Sequence, residues 1–139
     1  MKKYKLEAGT YDFGYYLVTS PDQKKVGKFI RDHFDDPSWD DPLEGERRGA
    51  LYTRFNYKPI LWIANIPKTP REYAILAHEC LHLTIYILIR WAGMKLTYNE
   101  SEEAFTHLLS KIMTDTLTVL QNEKTKARKV APRRKGKIK

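Results

Sequence analysis

Residues 78 to 82 read His-Glu-Cys-Leu-His, an H-E-x-x-H string, and they carry the most specific chemistry in the chain. On a helix turning by about 100° per residue, with His78 at zero, Glu79 falls near 100° and His82 near 40°, so all three share a face. Cys80, at roughly 200°, and Leu81, at roughly 300°, point away. Two imidazoles at i and i+4 can hold one Zn²⁺ in adjacent coordination positions, and the carboxylate between them can take a proton from metal-bound water. With four histidines in 139 residues, a shuffled chain would contain this string roughly 1% of the time, so the match carries information. Apolar residues flank it, Tyr73 to Ala77 before and Leu83 to Ile89 after, and they predict a buried motif whose polar groups need partners that a metal supplies.

A catalytic zinc keeps three protein ligands and one open position, so a further ligand must come from another element. The acidic stretch Asn99-Glu-Ser-Glu-Glu-Ala104 offers carboxylates one turn of chain later. On a wheel with Leu108 at zero the apolar stripe of that helix centres near 70°, with Glu102 near 120° and Glu103 near 220°. The wheel leaves both open. Glu102 is read as part of a capping box with Asn99 and Glu103 as the metal ligand, on a first turn whose negative charge also favours the helix dipole.

The elements that must position these residues follow from local patterns. Asp12 to Thr19 is aromatic and β-branched and predicts a first strand. Ser20-Pro21 predicts an N-cap with proline at the first helical position, and Val26, Phe29, Ile30 and Phe34 fall at helical spacing behind it. Asp35 to Glu46 is an acidic, proline-bearing loop, with His33 beside it read as surface. Gly49 to Tyr57 and Pro59 to Ile66 predict two further strands joined by a tight hairpin at Asn56-Tyr57-Lys58. Thr69-Pro-Arg-Glu72 is a capping box with proline at N1, opening the motif helix, which should stop at Gly93. Ala104, Phe105, Leu108, Leu109, Ile112, Met113 and Leu120 make the inward stripe of a third helix.

The length gives one domain with a genuine core. The single cysteine, Cys80, excludes an internal disulfide and fits a reducing compartment. The N-terminus lacks the apolar stretch of a signal peptide. Tyr73 to Trp91 approaches membrane-spanning length, but its ionisable residues would be costly in lipid, so it is read as a buried soluble helix with no membrane partner. Net charge is +8, yet nine of the 25 Lys and Arg lie in residues 124–139, leaving 16 against 17 acids in residues 1–123. That segment, with Lys124, Lys126, Arg128, Lys129, Arg133, Arg134, Lys135, Lys137 and Lys139, is read as a disordered basic tail able to contact nucleic acid without reading sequence.

The motif, followed by Glu103-Ala104 placed 21 residues after His82, resembles the gluzincin metallopeptidases, with H-E-x-x-H on one helix and a glutamate ligand on a following helix. More narrowly, AHECLHLTIYILIRWAGM followed by SEEAFTHLLSKI is similar to small phage-encoded proteins of unassigned function with a gluzincin-type site, over roughly residues 59–115. The resemblance implies an α+β zincin-like domain in residues 1–123, in the order β-α-β-β-α-α, its small sheet packed on the motif helix. It implies zinc held by His78, His82 and Glu103, with Glu79 as general base and then acid. His107 occupies the place of a residue that supports the ligands from behind, usually acidic in such proteins. The implied activity is hydrolysis of a protein or peptide substrate in the cytoplasm of an infected bacterium. Zincins pair substrate with a sheet edge above the metal, and the strand from Leu61 to Ile66 is the candidate for that edge. Neither Tyr98 nor His107 is placed as an oxyanion donor by the sequence. The alternative reading is a nucleic-acid-associated or virion protein in which the zinc site is structural or idle and the basic tail does the work.

Overall fold

The computed structural model describes residues 1–8, 13–37, 48–95 and 101–130. Two runs of consecutive apolar residues set its centre. Gly14–Thr19 (β2) is mostly buried along its length, and Ile60–Ile63 (β4) is buried at all four positions. Such strands must be covered on both faces, which is how parallel neighbours are found. They pair in parallel, from Tyr16 opposite Ile60 to Thr19 opposite Ile63. Lys2–Glu7 (β1) adds antiparallel to β2, and Gly49–Tyr52 (β3) adds antiparallel to β4, giving the order β1-β2-β4-β3.

Side chains alternate across a sheet, so its two faces build two cores. Val18, Ile60, Trp62, Ala50 and Tyr52 pack on Val26, Ile30 and Phe34 of helix α1, Gln23–Phe34. Tyr15, Leu17, Leu61 and Ile63 pack on two other helices. These are α2, Pro70–Ile85, which continues as a π-helical segment over Tyr86–Trp91, and α3, Glu102–Val130. Leu76, Cys80, Leu83, Ile87 and Leu88 face Leu108, Ile112 and Leu120. Deep in this layer the Tyr15 hydroxyl lies 3.3 Å from Thr116 Oγ1, and burial pushes its pKa well up. The fold is thus α+β, a four-stranded mixed sheet between α1 on one face and α2 with α3 on the other.

Several local expectations change. The element order gains an N-terminal strand, β-β-α-β-β-α-α: Lys3 and Lys5 turn outward and disguise the alternation, while Tyr4 and Leu6 pack on the core. Lysines on an edge strand also discourage pairing with other chains. Lys2 ion-pairs with Glu123, and Tyr4 hydrogen-bonds the same carboxylate, so β1 is clasped to α3. The cap of α1 is Asp22, whose carboxylate accepts the Lys25 N–H at 3.1 Å. Ser20 is instead used at the sheet end, where its carbonyl accepts the Trp62 indole N–H at 2.9 Å. β3 stops at Tyr52 because the chain turns at Asn56, which takes φ 67°, with the Tyr57 N–H on the Arg54 carbonyl. His33 is half-buried, its Nε2 2.7 Å from the Lys58 carbonyl oxygen.

The Thr69 to Glu72 capping box forms as read, with both reciprocal bonds and Pro70 at N1. Gly93 terminates the helical run with φ +66°. With Glu102 the first residue of α3 and the Ser101 carbonyl accepting the Phe105 N–H at 3.0 Å, Glu102 stands at N1 and not three residues inside. Asn99 lies outside the described residues. α3 runs on to Val130, so the first part of the basic segment, 124–130, is helical and not unstructured; residues 131–139, with Arg133 to Lys139, lie outside the described residues. By length and composition alone, Pro70–Trp91 would suffice to cross a membrane, but Leu76, Cys80, Leu83, Ile87 and Leu88 of that run are buried in the core.

The capping box gives two measurable expectations. Thr69→Ala should lower stability in urea unfolding by about 1 kcal/mol, the usual cost of an N-cap. The N–H groups of Lys68 and Thr69 hold the Glu72 carboxyl below its ordinary range. A depressed folded-state pKa contributes stability above the unfolded value and loses it as pH falls through the folded one. The stability gap between the parent and Glu72→Gln should therefore be constant near neutrality and close on acidification.

Candidate metal centre

One turn of α2 separates His78 from His82, and their rings stand nearly perpendicular at 86° with centroids 4.5 Å apart. Their Nε2 atoms converge to 2.9 Å. Two nitrogens bound to one tetrahedral zinc at about 2.05 Å each lie about 3.3 Å apart, so the pair needs to open by only about 0.4 Å to hold the ion. The two imidazole nitrogens lie close enough to share one ion at that point, as two of the three protein ligands a catalytic zinc keeps. Without an ion, the same geometry allows a single imidazole hydrogen bond, one ring donating and the other accepting.

Contrary to the reading of a buried motif, both histidines are exposed, and of the three residues that share its polar face Glu79 alone, at 8% exposure, is buried. The apolar run is continuous in sequence, but a helix sorts it by angle, and the 0–40° sector lies off the sheet. Glu79 sits beneath β3. A Cβ on Gly49 would stand 2.8 Å from Ile75 Cγ2 and 3.2 Å from Glu79 Cγ, so glycine at this strand position is what lets the helix come this close. Cys80 turns into the core against Thr116, where burial pushes its thiol up to about 12. It offers neither a ligand nor a nucleophile, as its angle on the helix implies. Leu81 points to solvent, 43% exposed.

Glu79 and His82 open onto a cavity of about 570 Å³ whose other walls are Gly49, Ala50, Leu51 and Thr53 of β3 and its exit, and Ile85, Tyr86 and Arg90 beyond the motif. The strand bordering the site is therefore β3 and not Leu61 to Ile66, because β4 lies between β2 and β3. Tyr86 and Arg90 extend the stripe of His82 in steps of four residues. Their placement was legible, since at 100° per residue they fall at about 80° and about 120° beside Glu79, but the stretch reads first as uniformly apolar. Burial raises the pKa of Tyr86, and the nearby Arg90 charge partly offsets it.

Glu103 is not gathered with the histidine pair. Its Oε1 lies 3.4 Å from His107 Nε2, and both side chains are largely exposed. Among the described residues no group of three or more His, Cys, Asp or Glu assembles that could hold a metal. Tyr98 lies outside the described residues. Of the basic segment, Lys124 is half-exposed and Lys126 exposed, the latter 3.7 Å from Glu123.

Gly49→Ala should crowd Ile75 and Glu79 and destabilise the fold by roughly 1–3 kcal/mol, as overpacking does. Urea unfolding checks this, and an unchanged midpoint would mean that helix and strand separate without cost. Compared with known proteins, the chain matches no protein-family model, no curated protein and no solved structure.

Proposed function

We propose that this chain is a zinc-dependent peptidase with a zincin-like site, working in a reducing cytoplasm. The observation that carries the reading is the convergence of the His78 and His82 Nε2 atoms at 2.9 Å, with the buried Glu79 between them in sequence and a cavity beside them. His78 and His82 would hold the metal. Glu103, which the resemblance names as the third ligand, would have to exchange His107 for it.

Bound there, zinc would lower the pKa of a coordinated water toward neutrality and polarise the scissile carbonyl. The remaining work falls to the chain's own groups. An extended peptide can add as a strand to the outer edge of β3, whose inner edge is already paired with β4. That pairing lays the substrate along the wall formed by Glu79 and His82. The Glu79 carboxylate accepts the proton of the attacking water as the new C–O bond forms, and returns it to the amine as the C–N bond breaks. The products are a carboxylate and an amine, and Glu79 is left as it began. The close packing of Gly49 and Ile75 around Glu79 holds its side chain in place throughout.

Zinc content of the purified protein and cleavage of unfolded casein test the reading together. Glu79→Gln should retain zinc and lose hydrolysis, whereas His82→Ala should lose both; hydrolysis surviving in Glu79→Gln would remove the carboxylate from its role. Glu103→Ala should weaken zinc binding far more than Glu102→Ala. Equal losses, or the reverse order, would move the third ligand elsewhere.

A further inference from the structure

Arg90 stands out among the cavity walls. The other residues lining it are the backbone edge of β3, apolar Ala50, Leu51 and Ile85, the hydroxyls of Thr53 and Tyr86, and the motif residues Glu79 and His82. Arg90 is exposed and forms no ion pair within 4.0 Å among the described residues. At an α-helical advance Arg90 already falls beside Glu79, and the last turn then leaves α geometry. Over Tyr86–Trp91 the bonding widens to i→i+5, as in the Ala92 N–H to Ile87 carbonyl bond at 2.8 Å. Each residue in such a turn advances by less than the ~100° of an α-helix, so Arg90 swings back toward the angle of His82. Single π turns inside α-helices recur at functional sites.

On this geometry, and resting on the peptidase reading, we infer that Arg90 selects the substrate: the cavity takes an extended peptide carrying a carboxylate on the Tyr86 side of the scissile bond. A guanidinium presents a planar fork of donors that matches a carboxylate in two parallel hydrogen bonds. Because Arg90 is exposed, the matched geometry of the fork and not burial would give such a pair its strength. The carboxylate is either an internal Asp or Glu side chain or a free C-terminus, since both present the same two oxygens. Arg90 also complements the carbonyl end of its own helix, a role that any cation would fill.

Binding separates this inference from catalysis. The full-length Glu79→Gln protein is titrated, with and without added zinc, against fluorescein-labelled peptides followed by anisotropy. One peptide pair differs by Glu against Gln at an internal position, a second by a free C-terminal acid against its amide. The acidic member of at least one pair should bind about tenfold tighter, the size of a charge-assisted hydrogen bond, and the pair that responds identifies the carboxylate. Arg90→Gln should erase the preference, Arg90→Glu should favour a Lys-bearing peptide, and Arg90→Lys should keep a reduced preference with an unchanged fold by circular dichroism. Equal binding of acidic and neutral members, no binding of either, or a preference intact in Arg90→Gln would overturn the inference. An Arg90-dependent acid preference in a protein that cleaves nothing would leave the inference standing and remove the peptidase reading. Cleavage by the wild-type protein without the preference would do the opposite.

Discussion

The close approach of one helix to one strand governs the candidate site. Gly49 at the start of β3 leaves no side chain between the strand and α2, and Ile75 and Glu79 fill the space directly. Glycine in a strand weakens it locally, and marks places where another element must come near. Here the result is that Glu79 is buried while His78 and His82, one sector further round the helix, stay open to solvent. In the proposed hydrolysis this arrangement would leave the two histidines free to reach an ion while the carboxylate between them is held in place.

The two cores make that approach possible. β4 is buried at every position, with Leu61 and Ile63 facing α2 and α3 and Ile60 and Trp62 facing α1. The sheet therefore cannot slide without moving an entire apolar set onto the wrong face. α2 is pinned at its start by the Thr69 and Glu72 capping box and along its length by Leu76, Cys80, Leu83 and Leu88. Its last turn widens into the π-helical segment, where Tyr86 and Arg90 line the cavity and Ile87 and Leu88 remain in the core.

α3 is a structural partner first. It buries Leu108, Ile112, Thr116 and Leu120, and its distal half is clasped to β1 through Glu123 and Lys2. Near its start Phe105 also packs on the core, while Glu103 stands in solvent against His107.

Periodicity and capping in the sequence alone determined most elements: the strand around Gly14–Thr19, the continuous apolar run of β4, the capping box at Thr69, the stop at Gly93, and the shared face of His78, Glu79 and His82. These are local, set by 2-residue and 3.6-residue repeats and by single side chains bonding nearby backbone. The β1 strand escaped because its Lys residues are exposed, and the cap moved from Ser20 to Asp22 because the Ser20 backbone stays on the sheet, its N–H bonded to the Ile63 carbonyl. Strand order was not legible, so the edge beside the site was assigned to β4 when a crossover places β3 there. Burial within the motif was likewise decided by tertiary packing: sequence says which residues share a helical face, but which sector of that face meets the sheet depends on where Gly49 lets the strand lie.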